Sequence, residues 1–166
     1  MKFIQWLFGP APTPKPDPLL GAAQIIRDAI GETKKTPLDI QRLLYLAQLH
    51  HLGEAGNPIF PDLFQATVLG PIVPRLMPLL KRKGGVSHPI HQSAVSSNSR
   101  DLIETVTREY RDFTPGTLVA ITHGHFSAWA QYFNDASCRS TYTGRQIPLA
   151  AMIDEYRARA DVRDAA

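Results

Sequence analysis

Several features that would assign a protein to a class at once are missing from this 166-residue chain. A single cysteine, Cys138, cannot form an internal disulfide, so we expect a reducing compartment, the cytoplasm. No apolar run reaches the roughly 18 residues of a membrane-spanning helix, so we expect no membrane partner. The net charge is only +3, and the basic residues cluster only at 81–83 and 34–35. An excess this small does not indicate a nucleic-acid partner.

Motifs that carry chemistry are also missing. No glycine-rich phosphate loop, no G-x-S-x-G and no H-E-x-x-H occurs. The histidines form three pairs without cysteine or carboxylate companions at zinc-site spacing: His50 and His51, His88 and His91, and His123 and His125. Cys138 or Ser127 could be combined with His123 as nucleophile and base, but nothing around them indicates an activated group. The sequence therefore predicts no metal, no cofactor and no enzymatic activity, and favours a binding or regulatory protein.

The first residues of the chain are apolar and lead into a proline-rich stretch. Residues 1–8 include Trp6 and Phe8, and residues 10–18 hold five prolines, which favour extended backbone and predict a semi-rigid spacer. The apolar segment either packs into a groove of the main domain or anchors another protein or a second copy of the chain.

From residue 19 onward, apolar residues recur at the spacing of amphipathic helices. Caps and breakers divide this part into predicted helices at 20–30, 38–52, 99–113, 114–122, 127–134 and 148–159. Asp62 and Pro74 also allow short helices at 62–69 and 74–80, although prolines at 71 and 78 limit their length. Residues 86–99 are predicted to be mainly loop, with at most one short strand at 86–90. We therefore expect a mainly α protein: one compact domain (residues 19–160) of six or seven helices with at most a small β element. Residues 1–18 would precede it, and residues 161–166 would form a C-terminal tail.

One helix carries a specific pattern. Residues 36–48 (TPLDIQRLLYLAQ) resemble the T-x-L-K-L-Q-K-L-L-Y-F-A-Q helix of the Panacea-domain family, the SocA/GepA-like phage-associated proteins. The resemblance continues in order through residues 57–60, 64–74, 102–110, 118–129 and 144–148, and so spans about residues 19–159. Two departures are Thr67, where the family has tryptophan, and Ser127, where it has proline.

The resemblance implies a bacterial antitoxin of a type II toxin–antitoxin system. Such a protein binds and neutralises a co-encoded toxin protein, and some members are thought to act as adaptors that deliver the toxin to an ATP-dependent protease such as ClpXP. A second copy of the chain is a further candidate partner. The alternative is a small DNA-binding transcriptional regulator, although no helix has the basic face that this requires.

The same resemblance selects residues for two roles. The candidate partner-binding residues are Gln41, Arg42, Tyr45, Thr122, His123 and Trp129. The candidate structural residues are Leu38, Leu43, Leu44, Gly70, Pro71 and Val73. Core packing is the alternative role for Tyr45 and Trp129, and a hydrogen-bonded tie between a helix end and a loop is the alternative for His123. Two further candidates lie outside the family pattern. Trp6 and Phe8 of the apolar N-terminus are a candidate tether, and the terminal Ala165 and Ala166, which resemble the tails that bacterial ATP-dependent proteases recognise, are a candidate degradation signal or an ordinary frayed helix end.

Overall fold

The computed structural model describes residues 14–164, which form a mainly α fold with one small sheet. Residues 10–13 of the predicted spacer and the candidate signals Trp6, Phe8, Ala165 and Ala166 lie outside the described residues. The helices are α1 (Pro18–Ile30), α2 (Pro37–Ala55), α3 (Met77–Lys81), α4 (Pro89–Gln92), α5 (Ser97–Tyr110), α6 (Pro115–Thr122), α7 (Ala128–Tyr132) and α8 (Leu149–Asp164). The strands are β1 (Gln65–Thr67), β2 (Gly70–Ile72) and β3 (Arg145–Gln146). The mainly α prediction is confirmed, with eight helices among the described residues.

Local chemistry explains where the first two helices begin and end. Asp17 caps α1 through its carboxylate. Pro18 takes the first helical position, where the helix does not require a backbone N–H donor. Pro18 thus belongs to a helix, not to the predicted spacer. The hydroxyl of Thr36 accepts from the backbone N–H of Asp39 (3.2 Å), and the Asp39 carboxylate accepts from the N–H of Thr36 (3.0 Å). Gly56 ends α2 with a left-handed backbone, φ 74°.

Helix α2 lies at the centre of the fold. It packs against α1, α5, α6, α8 and strand β2, and nearly every residue from 39 to 52 is buried, polar ones included. The sequence predicts one broad apolar face on this helix; the structure instead surrounds it on all sides. Leu43, Leu44 and Tyr45 have no exposed surface and lie in the main hydrophobic core.

The predicted helix at 62–69 is wrong, because these residues enter a β-hairpin. Strands β1 and β2 pair antiparallel, with Ala66 opposite Pro71, and β3 pairs with the other edge of β1. Pro71 fits here because β2 is an edge strand, where a missing N–H breaks no ladder. Asp62 caps no helix; its carboxylate binds Arg75 at 2.6 Å.

The remaining elements follow the predicted order with shifted boundaries. Residues 86–99 contain the short helix α4 and no strand, and Ser96, not Ser99, caps α5. Thr114 and Ser127 cap α6 and α7 through their hydroxyls. Helix α8 continues to Asp164, so residues 161–164 of the predicted tail are helical. No helix in residues 14–164 combines the length and apolar character needed to span a membrane.

Candidate functional site

The end of the β-hairpin, the end of α6 and the start of α7 meet in a small aromatic and polar cluster, here called the hairpin junction: Thr67, Gly70, His123 and Trp129. The rings of His123 and Trp129 lie 4.1 Å apart between centroids, and the Trp129 indole N–H donates to the Thr67 carbonyl at 2.9 Å. The Thr67 hydroxyl donates to the Gly70 carbonyl (3.0 Å) and accepts from the N–H of Leu69 (3.2 Å). The Thr67 hydroxyl therefore bonds to two backbone groups of the hairpin turn, at a position where the Panacea-like sequence pattern has tryptophan.

Gly70 must be glycine for two reasons. Its φ of +110° is disfavoured for residues with a side chain, and a Cβ there would lie 2.5 Å from Cε1 of His123. The His123 Nδ1 lies 3.0 Å from the Val119 carbonyl and 3.1 Å from the Thr122 hydroxyl. Burial lowers the pKa of His123 below its ordinary 6.5; the bond to Val119 raises it, and the charge of Arg42 lowers it further. His123 therefore ties the end of α6 to the hairpin as a neutral ring near pH 7.

Arg42 connects the first turn of α2 to the same hairpin. Its guanidinium binds the buried carboxylate of Asp39 at 3.2 Å and donates to the Leu69 carbonyl at 3.3 Å. Burial lowers the pKa of Arg42, and the charge of Asp39 and its hydrogen bond partly offset that effect. Since Asp39 also belongs to the cap of α2, the start of the central helix and the hairpin turn share one ion pair.

Two glutamines on α2, seven residues apart, fasten the two chain segments that flank the β-hairpin. The Gln41 amide donates to the Val73 carbonyl (3.1 Å) and accepts from its N–H (3.0 Å). The Gln48 amide donates to the Phe60 carbonyl (3.1 Å) and accepts from the N–H of Ile59 (2.8 Å). Each amide therefore satisfies a backbone N–H and a carbonyl that no helix or strand would pair.

A buried carboxylate organises the loop between α6 and α7. Glu155 on α8 accepts from the Tyr45 hydroxyl, from the N–H of Ala128 (2.7 Å) and from the Arg159 guanidinium (2.9 Å to Nε). Arg159 also donates to the Ile121 carbonyl at 2.6 Å. Burial, and then the charge of Glu155, raises the pKa of Tyr45 well above its ordinary value. Glu155 and Arg159 thus hold both ends of the loop that carries Phe126.

The predicted partner-binding residues lie largely inside the protein. Gln41, Tyr45 and Thr122 have no exposed surface, and Arg42 is 8% exposed. His123 and Trp129 are half-buried. The structure brings Arg42, Thr122, His123 and Trp129 to the hairpin junction, while Gln41 and Tyr45 lie in the bonds described above. In this conformation, the sequence pattern of α2 offers a partner almost no surface.

A serine–histidine contact that sequence reasoning missed lies at the other end of α2. The Nε2 of His51 lies 2.8 Å from the Ser99 hydroxyl, and its Nδ1 lies 2.7 Å from the Asn57 carbonyl. This geometry resembles a nucleophile–base pair, but Ser99 and His51 are each only 7% exposed, which leaves a substrate little access to them. The pair joins α2 to the first turn of α5. Nothing in the spacing of residues 51 and 99 signals it.

The nucleophile–base pairs considered from sequence do not form. The Ser127 hydroxyl caps α7, and the Cys138 thiol lies 3.9 Å from the Ala66 carbonyl; neither is hydrogen-bonded to His123 in the described chain. Residues 14–164 contain no group of three or more potential metal ligands.

An open cleft of about 420 Å³ lies between the C-terminal end of α5, the α6–α7 loop and α8, and is here called the α8 cleft. Its walls include Tyr110, Ile121 and Tyr156. Phe126 and Val162 also line it and remain 67% and 63% exposed. Exposed apolar side chains at the mouth of an apolar cleft are typical of interaction sites.

The comparisons identify the protein at the level of family. The family model described as "Antitoxin SocA-like, Panacea domain" matches residues 40–130, from within α2 to within α7. No curated protein and no solved structure matches the chain. The matched stretch contains the two α2 glutamines, the hairpin and the whole hairpin junction. This match covers more than half of the chain, which therefore belongs to the SocA-like antitoxin family with a Panacea domain.

Proposed function

We propose that this protein is the antitoxin of a type II toxin–antitoxin pair, which binds and neutralises a toxin protein encoded beside it. The family match over residues 40–130 carries the proposal. The α8 cleft supports it, because it offers an apolar surface of the kind that proteins bind.

Within this proposal, the burial of each candidate residue decides whether it supports the fold or can contact the toxin. Gln41, Arg42, Tyr45 and Thr122 contribute by holding the fold, since they are buried. His123 and Trp129 are half-buried and can reach a partner only at the hairpin junction. Phe126 is the most accessible large apolar side chain among the described residues and is the proposed contact in the α8 cleft.

Co-expression with the product of the neighbouring gene tests the function. The neighbouring product alone should arrest growth, the pair should restore it, and the two proteins should purify together.

Phe126→Ser should abolish rescue and weaken the complex, because it removes the exposed apolar contact. Val68→Ser is the matched control, since Val68 is 43% exposed but lies outside the cleft. A neighbouring product that neither arrests growth nor binds would contradict the proposal. Steeply salt-dependent DNA binding by the protein would then favour the regulator.

Delivery to an ATP-dependent protease such as ClpXP is the finer form of the proposal. The half-life of the toxin in cells should shorten when the antitoxin is present, whereas simple sequestration would leave it unchanged or longer. Replacing Ala165 and Ala166 by aspartates tests them as a degradation signal, and deleting residues 1–8 tests Trp6 and Phe8 as a tether. An unchanged half-life of the antitoxin in the first variant, and intact delivery and assembly in the second, would remove these two assignments.

A further inference from the structure

We propose that the α8 cleft accepts an apolar segment of the protein partner that carries a carboxylate, and that it discriminates against basic segments. This inference rests on the proposed function and adds the chemistry of the segment that is bound. Two observations support the inference: the walls of the α8 cleft are apolar, and the charged side chains around it are unevenly distributed.

The apolar part of the site comes from three helices and one loop that the fold brings together. Tyr110 at the end of α5, Ile121 at the end of α6 and Tyr156 on α8 form the walls, and Phe126 extends from the loop between α6 and α7. Glu155 and Arg159 hold that loop at both ends, so Phe126 is presented by a fixed backbone. A preorganised aromatic side chain favours binding because little conformational freedom is lost when a partner covers it.

The charged part of the site is uneven. Arg159 and Arg163 lie one turn apart on α8 and both line the cleft. Arg159 remains about one-third exposed while it binds Glu155, and Arg163 forms no ion pair within residues 14–164. The carboxylate of Glu155 is buried and already bonded to Tyr45, Ala128 and Arg159, so it is closed to a ligand.

On the opposite side, Glu109 of α5 is the accessible carboxylate of the cleft lining. Of the lining histidines, His50 pairs with Glu54 at 3.5 Å and His125 is exposed. A bound carboxylate is therefore stabilised along α8 and repelled along α5, which also orients the segment. The chain's own residues 1–8 contain Lys2 and no carboxylate, and so do not match this charge pattern.

The test uses the full chain and two fluorescent amphipathic peptides of about twelve residues, one built from leucine, phenylalanine and glutamate and one with lysine in place of glutamate. Fluorescence anisotropy should show about tenfold tighter binding of the glutamate peptide. Arg163→Glu should weaken that binding about fivefold, and Glu109→Gln should strengthen it about twofold. Arg157→Glu is the matched control, because Arg157 lies on α8, outside the cleft, and pairs with Asp154.

Several outcomes would overturn the inference. Equal binding of the two peptides, or equal effects of Arg163→Glu and Arg157→Glu, would leave no charge preference. A synthetic peptide of residues 1–8 that displaces the glutamate peptide with higher affinity would assign the cleft to the chain itself. A dimer that Phe126→Ser converts to a monomer in sedimentation would assign it to a second copy.

The inference and the proposed function fail separately. Toxin capture that survives both Phe126→Ser and Arg163→Glu would retain the antitoxin and remove this site. Charge-selective peptide binding without any toxin capture would retain the chemistry of the cleft and remove the antitoxin.

Discussion

Gly70 connects the conformation of the hairpin turn to the position of His123. Gly70→Ala should lower the free energy of unfolding by about 3 kcal/mol, because it combines an unfavourable positive φ with a contact of 2.5 Å to the imidazole. Urea denaturation measures this loss. Gly56→Ala is the control: its φ is also positive, but no atom lies within 4 Å of the added Cβ, so about 1 kcal/mol is expected. Equal losses in the two variants would show that the contact with His123 costs nothing.

His123 should make the stability of the protein depend on pH. Its pKa is lowered in the folded state by burial, so the unfolded chain binds the proton more readily. The free energy of unfolding should therefore fall as the pH is lowered through about 6.5, and recover above it. Urea midpoints at about pH 8 and about pH 5.5 should differ less in His123→Gln than in the wild type. His125→Gln serves as the exposed control, and an unaltered pH dependence in His123→Gln would contradict the assignment.

Glu155 is the buried charge on which the α6–α7 loop depends. Glu155→Ala should cost about 3–5 kcal/mol, because it leaves Arg159 and the Ala128 N–H without their partner. Tyr45→Phe removes a single hydroxyl from the same network and should cost about 1–2 kcal/mol. Thermal unfolding of both variants, beside the exposed Glu54→Ala as a near-neutral reference, measures the difference. A loss in Tyr45→Phe as large as that in Glu155→Ala would contradict the central role of the carboxylate.

At the scale of elements, α2 fastens the end of the hairpin through Gln41 and the segment that precedes the hairpin through Gln48. Gln41→Leu should destabilise by about 1–3 kcal/mol for each of the two Val73 backbone groups left unpaired. Hydrogen exchange should show increased opening of the hairpin in this variant, and Gln48→Leu should instead release the segment around Phe60. Opening of the same segment in both variants would show that the two contacts do not act locally.

Helix starts could be predicted from sequence where local chemistry decides them. Thr36 with Pro37, and Thr114 with Pro115, combine a capping hydroxyl with a proline in the first turn, and these helices begin within one residue of the predicted starts at 38 and 114. The hairpin could not be predicted in this way. Residues 62–69 have helix-compatible spacing, but β1 pairs with β3, which lies far along the chain, and the Gln41 amide of α2 holds Val73 at the end of the hairpin.

At the scale of the whole molecule, the candidate site was the part least accessible to sequence reasoning. The α8 cleft combines Glu109, Phe126 and Arg163, which are separated along the chain and belong to no shared pattern. The helix with the family pattern could be found because its residues are contiguous. Its side chains, however, turned out to support the fold: Gln41 bonds to backbone, and Tyr45 bonds to Glu155.

The enclosure of α2 also bears on how this protein can change over evolutionary time. The side chains of α2 are constrained in size and polarity by the elements packed around them. Phe126, Val162 and Arg163, in contrast, are exposed and contribute little to the core. Under the proposed function, substitutions in the cleft can therefore alter which partner protein is bound while the central helix keeps the same sequence. The buried scaffold and the exposed cleft are therefore under different physical constraints, and a change in one need not be matched by a change in the other.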